Sequence, residues 1–432
     1  MEEKVERFAA VKIADNIVSP LGLSTMENYI AVKQGRTALR QYSKWGLPEP
    51  FTASLIEREV IRREFERIKG AGGRTLFENL AILSVLRAVE SIDSFGVGVG
   101  DFGNKESKES KESKEGREGR EGKEGLDLSS DRVLFVLSTT KGNVFLMDDK
   151  CVAGGEFGDN LAALSKERIL LGEAAKVITD YFGHKDNAVV VSNACISGLC
   201  AQIEAVRALK SGNYDYAVVI GCDVQSPFIV SGFQSFKALS NELCKPFDMN
   251  RTGLNLGEAA ATIIYKRVRA EDVKPTDWVA CRGAIRNDSN HISGPSRTGE
   301  GSYRALMAVL DGVDRDKLAF VNLHGTATLY NDEMESIALN RAGLSSLPAN
   351  GLKGFYGHTM GAAGVLESIL SICSADDNTI IATKGFEEQG TTYRVNVSCE
   401  NRVTDKSAFV KLLSGFGGCN AALLFNKGGG LW

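Results

Sequence analysis

Eight short apolar runs recur along this chain with helical patterns between several of them, and that alternation narrows the possible folds more than any other feature. The runs are Val133–Leu137, Val189–Val191, Ala217–Gly221, Ala261–Tyr265, Ala319–Leu323, Thr379–Thr383, Phe409–Leu413 and Ala421–Phe425. Apolar residues at helical spacing mark Leu76–Val89, Leu161–Phe182, Ile196–Lys210, Gly301–Leu310 and Met334–Ala342. Such alternation implies an α/β fold with largely buried sheets. At 432 residues, 43% of them hydrophobic, the chain can bury one large core or two smaller ones.

One segment is foreign to this rhythm. Lys105–Gly125 is seven tandem triplets of Lys/Arg-Glu-Ser/Gly, with seven positive charges, seven negative charges and no apolar residue. It cannot contribute to a core, and glycines in its second half discourage helix. The expectation is a disordered charged insertion, 104–126, within an otherwise continuous domain.

Bulk properties exclude several classes. A net charge of −4 argues against nonspecific nucleic-acid binding. The first residues, Met1-Glu-Glu-Lys-Val-Glu-Arg7, lack the apolar stretch of a secretory signal, and no apolar run reaches transmembrane length. Neither export nor membrane insertion is expected. Nine scattered cysteines without a CxxC pair read as reduced thiols of a cytoplasmic protein, not as a disulfide framework or metal site.

Among those thiols Cys195 stands apart. It falls between Val189–Val191, read as a buried strand end, and the helix from Ile196, in the run Asn193-Ala-Cys195-Ile-Ser-Gly198. Unpaired N–H groups at a helix start stabilise a thiolate and can hold an oxyanion. Taken alone, Cys195 would be one more small buried hydrophobe. Two of the four histidines follow apolar stretches in glycine-flanked loops, namely His324 in His324-Gly-Thr-Ala-Thr328 and His358 in Lys353-Gly-Phe-Tyr-Gly-His358. Small residues Gly361–Gly364 allow a helix to pack closely behind the second. A thiol at a helix start with two such imidazoles makes a Cys/His/His site. His184 and His291 are assigned no chemical step.

The ordered set of motifs resembles the β-ketoacyl-acyl-carrier-protein synthases, condensing enzymes with a thiolase-type fold. It comprises Asn193–Gly198; Lys245-Pro-Phe-Asp248 with Arg251 and Gly257-Glu258; His324–Thr328 with Asp332 and Glu335; Lys353–His358 with Gly361–Gly364 and Glu367; and Gly415-Phe-Gly-Gly418 with Asn420. Val18-Ser-Pro-Leu-Gly22 is similar to the family's N-terminal strand and turn. The resemblance implies two similar α/β halves, 1–270 with the nucleophile and 271–432 with both histidines, built from stacked mixed sheets and layered helices.

It also implies the chemistry. Cys195 would accept an acyl group from an acyl carrier protein, and a malonyl thioester would lose carbon dioxide to give the enolate that attacks it. His324 and His358 would donate to the developing enolate. The amides of Cys195 and Phe416 would form an oxyanion hole, with Phe416 as a mobile gate. Lys353 and Glu367 would form a supporting buried pair, and Thr326 and Thr328 would bind the pantetheine arm, although either threonine could instead cap the following helix. Asp332 and Glu335 are read as structural. No metal or resident cofactor is implied, since phosphopantetheine arrives on the carrier protein. A homodimer, or a heterodimer with a related subunit, is expected, as is electrostatic docking of the carrier near Arg62, Arg63, Arg67 and Lys69. A solvated mixed-charge helix is the alternative reading of that cluster.

Ile13-Ala-Asp-Asn16, Asn193, Ala327 and Ser165–Gly172 depart from the family pattern, leaving fatty acid and polyketide or polyene pathways both open. A thiolase would need a second catalytic cysteine, for which Cys419 is the candidate. The initiating synthases pair His with Asn, against His358. A non-catalytic chain-length subunit would have lost the nucleophile.

Overall fold

The computed structural model describes residues 7–66, 73–93 and 126–430. Ten strands form its main sheet: β1 (Phe8–Val18), β2 (Val133–Ser138), β3 (Val189–Val191), β4 (Tyr216–Asp223), β5 (Ala259–Arg269), β6 (Trp278–Asn287), β7 (Leu318–Asn322), β8 (Ala349–Asn350), β9 (Ala408–Gly415) and β10 (Cys419–Lys427). The helices that matter here are α1 (Leu76–Asp93), α2 (Leu171–Tyr181), α3 (Ser197–Lys210), α4 (Glu300–Val309), α5 (Leu329–Arg341) and α6 (Ala363–Asp376).

Strand pairing repeats. From its outer edge the first half runs β3-β2-β4-β5-β1 and the second β8-β7-β9-β10-β6. In each, the two outer pairings are parallel and the two inner ones antiparallel. Both halves alternate strands and helices, but the first carries a helix, Pro227–Ser235, between β4 and β5, where the second turns directly from β9 into β10. They join where Ala10–Lys12 of β1 pair with Trp278–Ala280 of β6. The architecture is a thiolase-like α/β fold.

Period-two alternation sorts side chains into layers. Val219 of β4 and Leu423 and Phe425 of β10 face a central cluster with Leu199, Ile203 and Val206 of α3 and Val365, Ile369 and Leu370 of α6. Their neighbours Val218 and Ile220 face α1, whereas Leu424 faces α4 and α5. Thus α3 and α6 lie between the two halves of the sheet. They meet at glycines: a Cβ on Gly364 would stand 2.4 Å from the Leu199 nitrogen, and one on Gly198 2.8 Å from the Gly361 carbonyl. Only hydrogen fits there.

Several sequence expectations need correction. β3 is not buried but forms an open sheet edge, with Val189 43% exposed. Thr379–Thr383 shrinks to Thr379–Ile380, which pairs with Arg402–Val403 outside the main sheet. Leu161–Phe182 is not one helix: short 3₁₀ turns at Leu161–Ala163 and Lys166–Ile169 precede α2, because Asn160 is left-handed and Leu164 and Leu170 are extended. The charged triplets lie outside the described residues, but Leu126, assigned to that insertion, is a buried core residue. Neither an apolar run nor helical periodicity marks strands β1 and β6 or helix α6 in the sequence. α6 is buried on nearly every side, so no amphipathic stripe announces it.

Candidate active site

The turn from β3 into α3 presents Cys195. Ala194, before it, has φ of +45°, a left-handed conformation that a side chain adopts only under constraint. Ser197 supplies the constraint, since its hydroxyl donates to the Ala194 carbonyl at 2.6 Å and accepts the Asn193 N–H at 2.7 Å. The backbone N–H groups of Cys195 and Phe416 lie near the sulfur and favour its thiolate. Burial nevertheless dominates and pushes the thiol up to about 11, against the pull of Lys353, these two amides and Lys141. The expectation of a helix-stabilised resting thiolate is therefore corrected.

His324 follows β7 on a loop organised by carboxylates. Glu335 accepts the N–H groups of His324 and Gly325 at 2.7 and 2.8 Å, and Asp332 accepts those of Thr326 and Phe247 at 3.0 and 2.7 Å. Both acids are buried, and burial raises them to about 7 and about 6 respectively. His358 sits after Gly357, and its Nδ1 accepts the Met360 N–H at 3.1 Å. That bond places the ring proton on Nε2, a buried atom with no partner among the described residues. The two rings are 5.1 Å apart and nearly perpendicular. Burial first, then Lys353, lowers both imidazoles well below their usual range, so both are neutral N–H donors at physiological pH.

One ligand atom from each of Cys195, His324 and His358 lies within 4.8 Å of the others. Three such donors could in principle surround a tetrahedral ion. The nearby cations Lys353, Lys411 and Lys141 oppose that, making the trio better suited to a developing anion. Lys353 donates to the His324 carbonyl at 2.6 Å and pairs with Glu367 at 2.8 Å. Sequence reasoning missed a second lysine on that carboxylate, Lys411. Its signal was a lone charge inside the apolar run Phe409–Leu413.

The trio lies in a cavity of about 450 Å³ that also exposes Thr326, Thr328 and Phe416. The two threonine hydroxyls bond each other at 2.9 Å, and Thr328 makes no side-chain cap to α5. Phe416 stacks on Phe233 at 6.0 Å and meets Phe236 edge-on at 5.9 Å. Its loop continues through Gly417 and Gly418, both at positive φ. His291 lines the same cavity and is not remote from the site, whereas His184 is buried elsewhere against Phe135. Cys419 does not line the cavity; its sulfur lies 3.6 Å from the Asn287 amide. Arg62 and Arg63 both pair with Glu59, and Arg67 and Lys69 lie outside the described residues.

Family comparison finds likenesses in both halves of the chain. The "Beta-ketoacyl synthase, N-terminal domain" matches residues 169–270, and the "Beta-ketoacyl synthase, C-terminal domain" matches residues 279–387. These two stretches are similar to the two domains of the beta-ketoacyl synthase family and hold Cys195, His324 and His358. Among the relatives of this chain, a Vibrio cholerae 3-oxoacyl-[acyl-carrier-protein] synthase 2 is 30% identical over 55% of this chain and 62% of its own length. The ketoacyl synthase alpha subunit of the Streptomyces glaucescens tetracenomycin polyketide synthase is 31% identical over 57% of this chain and 61% of its own length. The match thus spans less than two thirds of these relatives. A solved ketosynthase in complex with its chain length factor, from Xenorhabdus doucetiae, shares the fold with a TM-score of 0.75 at 20% identity, covering 99% of both chains.

Proposed function

We propose that this chain is an acyltransferase, a β-ketoacyl-acyl-carrier-protein synthase performing decarboxylative Claisen condensation. The observation that carries the reading is the convergence of one thiol, two neutral imidazoles and two backbone amides within one cavity. Cys195 takes an acyl group as a thioester, while the amides of Cys195 and Phe416 hold the oxyanion of the tetrahedral intermediate. His324 and His358 donate to the thioester oxygen of malonyl carrier protein as carbon dioxide leaves, and the enolate carbon attacks the acyl-enzyme. Lys353 and Glu367 support this arrangement. Thr326 and Thr328 receive the pantetheine arm delivered by acyl carrier protein, and the reaction needs no metal or resident cofactor. Phe416 gates the cavity. We place the halves at 1–270 and 271–432 and the protein in the cytoplasm, in fatty acid or related polyketide or polyene synthesis.

The chain acts as a homodimer or with a related subunit. A purely chain-length role sits poorly with the retained Cys195, and a thiolase role with the position of Cys419. Intact mass after incubation with acyl carrier proteins of several chain lengths tests the reading. An acyl adduct on Cys195 is expected; an unmodified chain with every substrate would sink it.

A further inference from the structure

Behind the His324 loop, two lysines share one carboxylate. Glu367 accepts Lys353 Nζ at 2.8 Å through Oε1 and Lys411 Nζ at 2.5 Å through Oε2, and both lysines are fully buried. Each ammonium also grips a backbone carbonyl of the loop. Lys353 donates to His324 O at 2.6 Å and Lys411 to Leu323 O at 3.2 Å. Lys411 stands on β9, the strand that runs on to Gly415 and Phe416. The cluster therefore ties β9, α6 and the His324 loop to the helical turn Lys353–Tyr356, which leads into His358. Burying a second ammonium on one carboxylate is costly. The apolar neighbours of Lys411 on β9, Val410 and Leu412, give no packing reason for a charge.

We propose that Lys411 is a positioning residue for His324, fixing the Leu323 carbonyl and setting a second buried cation behind the imidazole. The proposal rests on the reading of Cys195, His324 and His358 as a condensing site. The charged groups acting on Lys411 are Glu367, Lys353 and Glu335, while His324 and His358 both feel its charge. Burial lowers the Lys411 ammonium to about 8 against the pull of Glu367. Above that pH the cluster loses its excess positive charge.

The test uses the whole chain as wild type, Lys411→Met and Lys411→Gln, with two readouts across pH. The first is imidazole NMR, which four histidines keep tractable. Removing the cation should shift the His324 titration upward by about one unit. The second compares carbon dioxide release from malonyl carrier protein with acylation of Cys195 by an acyl carrier protein. Lys411→Met should slow release roughly tenfold in kcat with KM unchanged, and leave acylation within about twofold. Lys411→Gln keeps a donor for Leu323 O without the charge and should fall between. Wild-type release should decline above pH ~8.

Equal loss of both half-reactions with the His324 titration unmoved would reduce Lys411 to packing and overturn the proposal. Wild-type behaviour in both variants would overturn it too. If neither variant folds, the wild type decides, and release that stays constant through the alkaline range refutes the role. A wild type that neither acylates nor decarboxylates sinks the condensing reading instead. In that case an unmoved His324 titration in Lys411→Met overturns the Lys411 proposal, and a shifted one upholds its control of the ring.

Discussion

At Cys195 burial and local dipoles pull in opposite directions. Two amides and Lys353 favour the thiolate, but the apolar enclosure prevails and sets the thiol near 11. Cys195 alkylation by iodoacetamide should then rise about tenfold per pH unit from neutrality to pH ~10, because each unit multiplies the thiolate fraction tenfold below the pKa. Peptide mass mapping follows this directly; a plateau by pH 8 would show a preformed thiolate. The histidines separate from the thiol by step. Losing one oxyanion donor costs roughly 10²–10³ in rate, or about 3–4 kcal/mol. His324→Ala and His358→Ala should therefore accept an acyl group yet release carbon dioxide very slowly, whereas Cys195→Ser should fail at acylation. If either imidazole served Cys195 as its base, acylation would be lost first. His184→Ala is the control, since His291 shares the cavity.

The element that matters most is the α3–α6 crossing, which sets Cys195 and the His358 loop at their separation. Gly198→Ala would place a methyl group against backbone atoms of Gly361 and Gly364, neither of which can swing aside. The expected cost is about 2–3 kcal/mol, read as a lowered melting temperature with acylation impaired in what remains folded. Gly172 in α2 has open space around its Cβ position, so Gly172→Ala should be neutral or slightly stabilising. Equal melting temperatures for the two variants would refute the close-crossing argument. The strained Ala194 turn belongs to the same unit, because it aims the sulfur between the amides.

For the molecule as a whole, the two sheet edges differ. β8 is buried, while β3 leaves Val189 exposed at an open edge. An unpaired edge of this kind invites a second chain. Sedimentation should give a dimer at micromolar concentration, and Val189→Lys should weaken it; a fully active monomer would refute the assembly. Lys105–Gly125 is net neutral, has no apolar anchor and holds none of the candidate site residues, so its deletion should leave condensation intact. Lost turnover with the fold retained would instead assign it a docking role.

Local chemistry already specified much of this protein. The apolar runs that became β2, β4, β5, β7, β9 and β10 were legible because buried strands need nearly unbroken apolar sequence. Cys195, His324 and His358 stood out through their glycine and small-residue surroundings. The tertiary structure decided what depends on long-range contact. Helix α6 had no amphipathic signature because both halves of the sheet enclose it. β1 carries Lys12, Asp15 and Asn16 within it, so its place as an inner strand followed from pairing with β5 and β6. Lys411 reads as an odd charge in a strand until Glu367, 44 positions away, comes within 2.5 Å. The thiol's resting protonation likewise depended on how completely the fold encloses it, because desolvation is a property of the whole surrounding volume and no short motif encodes it.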